Sequence, residues 1–515
     1  MPRTICASLE WHAIHTPKKI AVVDTNTILT YEQFWDRVCR LANVMLGLGL
    51  GPGDRIAILM TNSARYLELY HAIGAVGAAA VSLNFRFVAS EIEYIVNHSQ
   101  SKALFFDAAF EPVVRELDTR LPSIGSNYIV TDAVPGAKSS GQLYEQLISI
   151  ASPERPEIIV DPESCFFQGY TAGTTGFPKG CVNLHMGFVD FFKRVALLWG
   201  IAPNDIELVP APLFHEAPTL FAMLQIFRGG TVVVTRNTQP ADILNLIGDH
   251  KITWSFMVPT MWDSLISSDA IREASVGSMR VLVSAGSSLL THTKDALIDF
   301  FPNAGLNEFY GGTEVGVVTN LGPEDQRRKV RSVGKPIPGF HVRLLAEDGH
   351  DVASGEVGEI YMKGPILIRE YFSNPEATAS ARKDEWFTLG DMGRFDEEGY
   401  LYIVDRKKDM IISGGENVYP AEVENVLYKH PAVAMVAVVG IPDPKWGESI
   451  YAAVVLKSGF QVSAEDFIAH CAGQLSRFKI PKKIEFVDKL PTSSFGKILR
   501  REVRRPFWEG RDASV

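Results

Sequence analysis

The chain has 515 residues, and 50 Lys and Arg against 60 Asp and Glu give a formal charge of −10 with histidine neutral. Nucleic-acid phosphates are bound through surplus cationic side chains, so this acidic balance argues against a dedicated nucleic-acid binder. A hydrophobic content of 46% is ample for packed cores, and at roughly 150 residues per domain the length predicts about three domain-sized units. Disorder and a fibrous repeat are therefore not expected.

The cysteines and the two ends of the chain bear on its compartment. Cysteine is scattered and forms no CxxC pair, which fits neither a disulfide framework nor a zinc site. The first residues lack the apolar core of a signal peptide, and no apolar run approaches the roughly 18 residues of a membrane span. The last residues, DASV, differ from a peroxisomal SKL signal. We therefore expect a cytoplasmic protein without a membrane span.

The N-terminal part alternates short β-rich runs with amphipathic segments of helical period. KIAVVD (19–24) predicts a strand, and Thr30 followed three residues later by Gln33 is a capping box that predicts the start of a helix. Ser90 is predicted to cap a later helix. The other elements predicted in this part are strands at RIAILM (55–60) and ALFFD (103–107) and a helix over residues 66–73.

The same alternation returns after Cys165 and predicts four more strands. They lie at TVVVTR (231–236), TWSFMV (253–258), RVLVSA (280–285) and LNEFY (306–310). Strands that alternate with helices predict mostly parallel sheets flanked by helices. Between about residues 332 and 364 the pattern changes to short strands and turns, with a predicted hairpin around Asp348 and Gly349. A compact mixed α/β segment is predicted beyond Asp405.

Charge is unevenly distributed along the chain. Residues 1–405 carry a net charge of −14, whereas residues 406–515 carry +4. A basic end on an acidic body indicates that the last segment meets anions.

The stretch FFQGYTAGTTGFPKG (166–180) is an apolar strand that runs into a loop of small residues, hydroxyls and one cation. Backbone N–H groups and hydroxyls can wrap a polyphosphate, and the lysine supplies a point charge. The residues concerned are Thr171, Gly173, Thr174, Thr175, Gly176 and Lys179. It is not a Walker A loop, because Lys179 precedes Gly180 and not Ser or Thr. A purely structural turn would explain the glycines but not the threonines and lysine together.

TAGTTGFPKG resembles the phosphate-binding signature of the adenylate-forming acyl-CoA synthetase superfamily, which includes acyl-CoA ligases, peptide-synthetase adenylation domains and luciferases. Further motifs similar to those of the family follow in the expected order, so the resemblance covers nearly the whole chain. They are PLFH (212–215), SAGSSL (284–289), YGGTE (310–314), GEVGEIYMKG (355–364), WFTLGD (386–391), DRKKDMIISGGENVYPAEVE (405–424) and PTSSFGK (491–497).

The resemblance implies an α/β fold in two parts. Residues 1–404 would form an AMP-binding region of two doubly wound α/β subdomains plus a small β-barrel-like unit. Residues 405–515 would form a small, mobile α+β domain that carries a catalytic lysine and turns about a hinge near 406–408. The reaction implied is formation of an acyl-adenylate from a carboxylic acid and ATP, followed by transfer of the acyl group to CoA, with ATP, Mg²⁺ and CoA as cofactors.

The resemblance also assigns the adenylation residues. The implied catalytic residues are Thr171, Lys179, Glu314 and Lys497, with Glu314 as the Mg²⁺ ligand. Asp391 and Arg406 resemble the ribose contacts, although taken singly each would more often be a surface ion-pair partner. The further ATP and AMP contacts would be Ala285, Gly286 and Ser287 beside adenine, Tyr310 stacked on it, Thr313 at the phosphate, and the neighbouring Phe309, Gly311 and Gly312. TLGD at 388–391 departs slightly from the TGD of many relatives but keeps Asp391.

For the second step, the family rotates its small domain about a residue that corresponds to Lys408. The rotation would present a glycine loop, Gly414 to Asn417, to the pantetheine of CoA. The residues implied there are Gly414, Gly415, Glu416 and Asn417. Trp446 resembles a tryptophan that packs on CoA in some relatives, and simple surface packing is an equal alternative. The basic runs 477–483 and 500–505 would meet the CoA phosphates.

The resemblance places Phe214 and His215 at the mouth of the acyl pocket. Its lining would include Phe256, Met257, Gly286, Phe309 and Gly311. PLFHEAP is similar to bile-acid CoA ligases, and the whole chain resembles carnitine, aromatic and medium-chain CoA ligases, so a bulky cyclic or medium-sized acid is expected. Glu216 would face a hydroxyl or cationic head of the acid, or else point to solvent or pair with a neighbour.

Two other functions keep part of this assignment. An enzyme that passes its acyl-adenylate to a carrier protein would keep the adenylation residues and need no CoA site. A nucleotide-binding pseudoenzyme would have lost Lys497 or Glu314, and both residues are present. A homodimer is compatible with the sequence, which does not identify the acid.

Overall fold

The structure of the protein, a computed structural model, describes residues 3–132, 141–171, 178–414, 416–472, 474–492 and 498–509, without the side chains of residues 272 and 273. The chain divides into two compact units. The large unit comprises residues 1–341 and 363–385, and the small unit comprises residues 342–362 and 386–515. The domain boundary between residues 404 and 405 and the hinge near 406–408 remain predictions.

Helices and strands of the described residues are numbered in chain order. The α-helices are α1 (Cys6–His15), α2 (Tyr31–Gly47), α3 (Ala64–Ala75), α4 (Ala89–Ser99), α5 (Glu111–Leu117), α6 (Tyr144–Ile150), α7 (His185–Leu198), α8 (Glu216–Phe227), α9 (Pro240–Asp249), α10 (Pro259–Ile266), α11 (Thr291–Phe300), α12 (Pro375–Ser380), α13 (Pro420–Leu427), α14 (Ala464–Cys471) and α15 (Arg500–Trp508). The strands are β1 (Ile20–Asp24), β2 (Thr27–Thr30), β3 (Arg55–Leu59), β4 (Ala79–Ser82), β5 (Ala103–Phe106), β6 (Tyr128–Val130), β7 (Gln142–Leu143), β8 (Cys165–Thr171), β9 (Lys179–Leu184), β10 (Ile206–Val209), β11 (Thr231–Val234), β12 (Trp254–Met257), β13 (Val281–Ser284), β14 (Gly305–Gly312), β15 (Gly316–Leu321), β16 (Lys335–Pro336), β17 (His341–Leu345), β18 (Gly358–Lys363), β19 (Arg382–Lys383), β20 (Trp386–Phe395), β21 (Leu401–Arg406), β22 (Ile411–Ser413), β23 (Glu416–Val418), β24 (Val433–Asp443), β25 (Gly447–Leu456) and β26 (Lys483–Phe486).

Two mostly parallel sheets form the large unit, as the alternating pattern predicts. One has the strand order β7-β6-β5-β3-β4-β8-β9, in which β8 and β9 are antiparallel. The other has the order β16-β15-β14-β13-β12-β10-β11-β1-β2 and is parallel from β11 to β14. Parallel strands are buried on both faces, which explains their continuous apolar runs such as Ala103 to Phe106.

The capping box predicted at Thr30 is confirmed, and the cap predicted at Ser90 is wrong. The Gln33 backbone N–H donates to Thr30 Oγ1 at 3.3 Å, and the Thr30 N–H donates to Gln33 Oε1 at 3.0 Å. Helix α4 begins one residue before Ser90, and its N-cap is Val88. The Glu91 carboxylate accepts the Val88 N–H at 3.0 Å, so an acidic side chain supplies the cap that the sequence assigned to a hydroxyl.

The small unit is built on antiparallel sheets. Strand β20 pairs with β18 and β21, and the predicted turn at Asp348 and Gly349 is confirmed by hydrogen bonds across it, with the Ala346 N–H donating to His350 O at 2.9 Å. A second sheet has the order β23-β22-β25-β24, with β26 parallel to β25. The apolar faces of α13 and α14 cover this sheet, and the segment is therefore α+β as predicted.

None of the helices in the described ranges is both long enough and apolar enough to span a bilayer.

Glu207 is a buried carboxyl in the nine-stranded sheet. It lies on β10, is 1% exposed, and among the described residues its Oε2 atom has no hydrogen-bond partner. Burial raises the pKa of Glu207 well above its usual range. At neutral pH the folded protein therefore retains a proton that the unfolded chain has already released. The folded state therefore loses stability through this group as the pH rises above about 4.3, the pKa of an exposed glutamate.

We predict that Glu207→Gln stabilises the protein by about 1 kcal/mol at pH 8 and by less at pH 5, because a neutral amide of similar shape needs no proton. Urea unfolding at the two pH values measures the difference. Glu163 is exposed, and Glu163→Gln, the control, should change the free energy of unfolding by less than about 0.5 kcal/mol. Equal stabilisation at both pH values would show that the charge of Glu207 is not responsible.

Candidate active site

The predicted phosphate loop connects two antiparallel strands of the seven-stranded sheet. Thr171 ends β8, Lys179 begins β9, and the two residues are cross-strand partners. The hairpin geometry thus brings the hydroxyl-bearing and the cationic ends of the loop together. The intervening loop residues Gly173, Thr174, Thr175 and Gly176 lie outside the described residues.

Glu314 lies beside this hairpin and is 9% exposed. The Thr171 hydroxyl donates to Glu314 Oε1 at 3.2 Å, and the Tyr371 hydroxyl donates to the same oxygen at 3.1 Å. Lys179 Nζ lies 5.0 Å from the centre of the Tyr371 ring. The structure therefore brings together three residues that the sequence analysis named as catalytic, Thr171, Lys179 and Glu314.

Tyr371 is a residue of this site that the sequence analysis missed. It is buried and forms an isolated antiparallel bridge with Cys181 on β9. Its phenol contacts both the proposed metal ligand and the proposed phosphate-binding lysine. Tyr371 follows the motif 355–364 but is not part of any recognised motif. Its position after a glycine-rich strand is the only sequence feature that could have drawn attention to it.

The chemistry around Glu314 fits Mg²⁺. This ion prefers oxygen ligands and is usually held by one or two carboxylates together with substrate phosphates and water, not by a complete protein cage. Within the described ranges no group of three or more His, Cys, Asp and Glu side chains is arranged to hold a metal. A single buried carboxylate next to a phosphate loop is the protein share of such a site.

Glu216 begins α8 and is buried, so the expectation that it points to solvent is wrong. It is 7% exposed, and no described group hydrogen-bonds its Oε2 atom. Burial raises the pKa of Glu216 well above its usual range, and the negative charge of Glu314 raises it further, while a hydrogen bond with Thr313 acts in the opposite direction. Two ionised carboxylates at this place would repel each other, which favours a protonated Glu216.

Aromatic side chains of the predicted acyl pocket cluster on one face of β12 and β14. The Phe221 ring on α8 lies 5.1 Å from Phe256 and 5.9 Å from Phe309, and Phe256 and Phe309 are 6.1 Å apart between centroids. Met257 is not part of this cluster, because successive residues of a strand point to opposite faces. It packs with Trp262 and other buried residues in a separate core.

His215 and Phe214 lie directly before α8. Their rings are 4.1 Å apart, and Phe214 also meets the Phe85 ring edge-on at 5.2 Å. Burial lowers the pKa of His215 well below its usual range, and the positive charge of Arg86 lowers it further. The imidazole is therefore neutral at physiological pH and can accept as well as donate a hydrogen bond.

The residues predicted beside adenine lie at the carboxyl edge of the nine-stranded sheet, where nucleotides bind in open α/β sheets. Ala285 and Gly286 follow β13, and β13 pairs in parallel with β14, which carries Phe309, Tyr310 and Gly312. Gly286 has φ 94°, a conformation that other residues rarely adopt, and Ser287 after it is exposed. A Cβ at Gly311 would lie 1.8 Å from Gly316 O, so only glycine fits there.

In the small unit the two predicted ribose contacts are neighbours. Asp391 on β20 and Arg406 on β21 are cross-strand partners, and Arg406 Nε lies 3.3 Å from Asp391 Oδ1. Asp391 is buried, and the preceding Gly390 has φ 74°. The antiparallel register therefore presents a carboxylate and a guanidinium side by side.

In the predicted CoA loop, Gly414 follows β22, and Glu416 and Asn417 lie on β23. Gly414 has φ 64°, and a Cβ there would lie 2.7 Å from the Trp446 ring, so the glycine allows the ring to approach. Trp446 is 41% exposed, and Lys445 Nζ and Lys482 Nζ each lie 4.6 Å from its ring centre. Glu416 and Asn417 on β23 are exposed, as is Lys408. Gly415 and Lys497 lie outside the described residues.

Comparison with known proteins assigns the fold to adenylate-forming enzymes. The structure matches that of ATP-bound MatB from Rhodopseudomonas palustris with a TM-score of 0.90 and 29% sequence identity, over 99% of both chains. Residues 9–372 match the family model of the AMP-binding enzyme, and residues 422–497 match that of the AMP-binding enzyme C-terminal domain. The chain therefore belongs to the AMP-binding enzyme family.

Curated relatives are similar to the chain over nearly its full length. A feruloyl-CoA synthase of an Amycolatopsis species is 36% identical over 499 residues, which cover 96% of each chain. A long-chain-fatty-acid–CoA ligase of Mycobacterium tuberculosis is 35% identical over 504 residues, which cover 97% of each chain.

We predict that Tyr371→Phe raises the Mg²⁺ concentration for half-maximal pyrophosphate release by about 10-fold, because outer-sphere partners orient a metal ligand. The measurement is pyrophosphate release as a function of Mg²⁺ at saturating ATP. Tyr128→Phe also removes a hydroxyl of the large unit that donates to a main-chain oxygen, and it should leave the Mg²⁺ requirement unchanged. An unchanged requirement in Tyr371→Phe would remove Tyr371 from the metal site.

Proposed function

We propose that the protein is an ATP-dependent acyl-CoA ligase. It joins a carboxylic acid to the α-phosphate of ATP with release of pyrophosphate, and the thiol of CoA then displaces AMP to give a thioester. The observation that carries this proposal is the convergence of Thr171, Lys179 and buried Glu314 at the phosphate loop.

Activation is necessary because a carboxylate is a poor electrophile. Attack of the acid on ATP brings negative charges together, and Mg²⁺, when bound, neutralises part of the phosphate charge. Glu314 holds the ion, Thr171 and Tyr371 fix the orientation of its carboxylate, and Lys179 supplies a positive charge to the phosphates. Asp391 accepts hydrogen bonds from the ribose hydroxyls, with Arg406 beside it as a second contact.

Lys497 stabilises the charge that develops on the carboxylate and the α-phosphate. A cation about 4 Å from this charge, at an effective dielectric near 20, contributes roughly 4 kcal/mol, or on the order of a thousandfold in rate. After adenylation, rotation about Lys408 withdraws Lys497 and brings the CoA loop to the acyl-adenylate.

The substrate is a bulky cyclic or medium-sized organic acid. The cluster of Phe221, Phe256 and Phe309 supports this choice, because stacked and edge-on rings offer a large apolar surface to an acyl group. For CoA, the exposed Trp446 offers a stacking surface to adenine, and Lys445 and Lys482 beside the ring offer charge to its phosphates.

Free cysteines, most of them buried, support a reducing, cytoplasmic location.

The proposal is tested by pyrophosphate release from a panel of aliphatic, aryl, carnitine-like and polycyclic acids, followed by assay of thioester formation with free CoA. We expect release with at least one bulky acid and a thioester with CoA. Release without thioester would replace CoA by another acceptor, such as a carrier protein. Absence of release with every acid would contradict the proposed function.

We predict that Lys497→Ala lowers the rate of pyrophosphate release by about 10²-fold or more, because the transition state loses its cation. Single-turnover release at saturating ATP and acid gives the rate. Lys489→Ala removes an exposed lysine of the same segment and serves as the control. Unchanged release in Lys497→Ala would remove this residue from the mechanism.

We predict that Lys408→Pro spares adenylation but slows thioester formation by about 10-fold or more, because proline fixes φ and prevents the backbone rotation. The two half-reactions are followed as pyrophosphate release and as consumption of isolated acyl-adenylate by CoA. Lys408→Ala keeps backbone freedom and should retain both. Equal losses in both half-reactions of Lys408→Pro would count against the hinge.

A further inference from the structure

Arg500 is a largely buried guanidinium that joins three acidic side chains of the small unit. As the first residue of α15, it reaches Asp405 Oδ1 and Glu424 Oε2 at 2.6 Å each, Glu424 Oε1 at 2.9 Å and Asp409 Oδ2 at 3.6 Å. The Arg500 side chain is 19% exposed, that of Asp405 is 2% and that of Glu424 is 12%. We call these four residues the Arg500 cluster.

The carboxylates of the cluster have further partners. The backbone N–H of Ala421 donates to Asp405 Oδ2 at 2.7 Å, and the N–H of Val438 donates to Glu424 Oε1 at 2.9 Å. Buried charges are stable when they are paired and hydrogen-bonded in this way, and removing one partner leaves the others uncompensated. The cluster therefore defines one preferred arrangement of the segments that carry it.

The acids of the cluster lie on different sides of the proposed hinge. Asp405 precedes Lys408 in the chain, whereas Asp409 and Glu424 follow it. Asp405 is also held in the β20–β21 hairpin, where it is the cross-strand partner of Met392. A rotation about Lys408 moves Arg500 and Ala421 together with Glu424 but leaves Asp405 in the hairpin. The rotation must therefore break the contacts of Asp405 with Arg500 and with the Ala421 N–H.

Arg500 is also close in the sequence to the proposed catalytic lysine. Arg500 follows Lys497 by three residues, and three extended residues span at most about 11 Å. Lys497 itself lies outside the described residues, and its placement beside the proposed ribose contacts Asp391 and Arg406 during adenylation belongs to the proposed function. An ion pair that fixes Arg500 would limit how far Lys497 can leave that placement.

We propose that Arg500 is a positioning residue for adenylation, and that its ion pair with Asp405 is a latch across the hinge that opens before thioester formation. The proposal rests on the proposed function. The proposal predicts different effects for two acids of the cluster. The pair of Arg500 with Asp405 joins residues on opposite sides of the hinge, and the pair with Glu424 does not.

The test compares Arg500→Gln, Asp405→Asn and Glu424→Gln in the two half-reactions, measured as pyrophosphate release and as consumption of isolated acyl-adenylate by CoA. Arg500→Gln and Asp405→Asn should lower kcat for release by about 10-fold with little change in KM for ATP, and leave thioester formation unchanged or faster. Glu424→Gln should change the two half-reactions by equal factors. Arg500→Lys keeps the cation and should restore part of the release.

Arg343→Gln is the matched control, because Arg343 pairs with Asp351 at 2.7 Å and both residues precede the hinge in the chain. It should give no difference between the half-reactions. Thermal unfolding of each variant identifies losses of stability, and if Arg500→Gln does not fold, Asp405→Asn, which keeps shape and removes only the charge, decides the question.

Equal losses in both half-reactions of Asp405→Asn, or the same difference in Glu424→Gln, would overturn the latch. Either result with an active parent enzyme and an inactive Lys497→Ala variant leaves the proposed function intact. A parent enzyme that releases no pyrophosphate with any acid would overturn both proposals.

Discussion

The burial of one carboxylate, Glu314, is the constraint on which the candidate site depends. A buried carboxylate is stable only with donors or a cation beside it, and the fold supplies hydroxyls from two distant segments, Thr171 at the end of β8 and Tyr371 near β9. The same charge acts on Glu216, whose proton avoids a second negative charge in the same region. The hydroxyls of Thr171 and Tyr371 and the protonation of Glu216 are thus tied to one buried carboxylate.

Charge is organised in a second way in the small unit. There Asp391 and Asp405 form ion pairs with arginines of the same unit, Asp391 with Arg406 and Asp405 with Arg500. The net charge of residues 406–515 is positive while that of the preceding residues is strongly negative.

The sequence predicts the elements well where local patterns decide them. The strands at residues 55–60 and 231–236 and the capping box at Thr30 depend on apolar runs and on contacts within four residues, and all are present in the structure. The cap predicted at Ser90 is wrong because the helix already begins at Ala89, with Val88 as its N-cap and the Glu91 carboxylate accepting the Val88 N–H. Local sequence preference does not determine which of several neighbouring residues becomes the N-cap of a helix.

The candidate site could be predicted only where a motif marks it. Thr171, Glu314 and Asp391 lie in motifs, whereas Tyr371 reaches Glu314 through tertiary packing across 57 positions of the chain and leaves no local signal. The burial of Glu216 likewise depends on how α8 packs, which a single sequence does not reveal. Phe256 and Met257 are adjacent in the strand predicted at 253–258, and the alternation of side chains along a strand would have placed them on opposite faces.

That separation has a consequence for how such an enzyme changes its substrate. On β12 one residue faces the aromatic cluster and the next faces the core under the sheet. In the proposed function, substitutions at the first position alter the shape offered to the acid and leave the core around Met257 unchanged. Adaptation of specificity and maintenance of stability can therefore proceed through different residues of the same strand, and a single scaffold can serve a succession of acids.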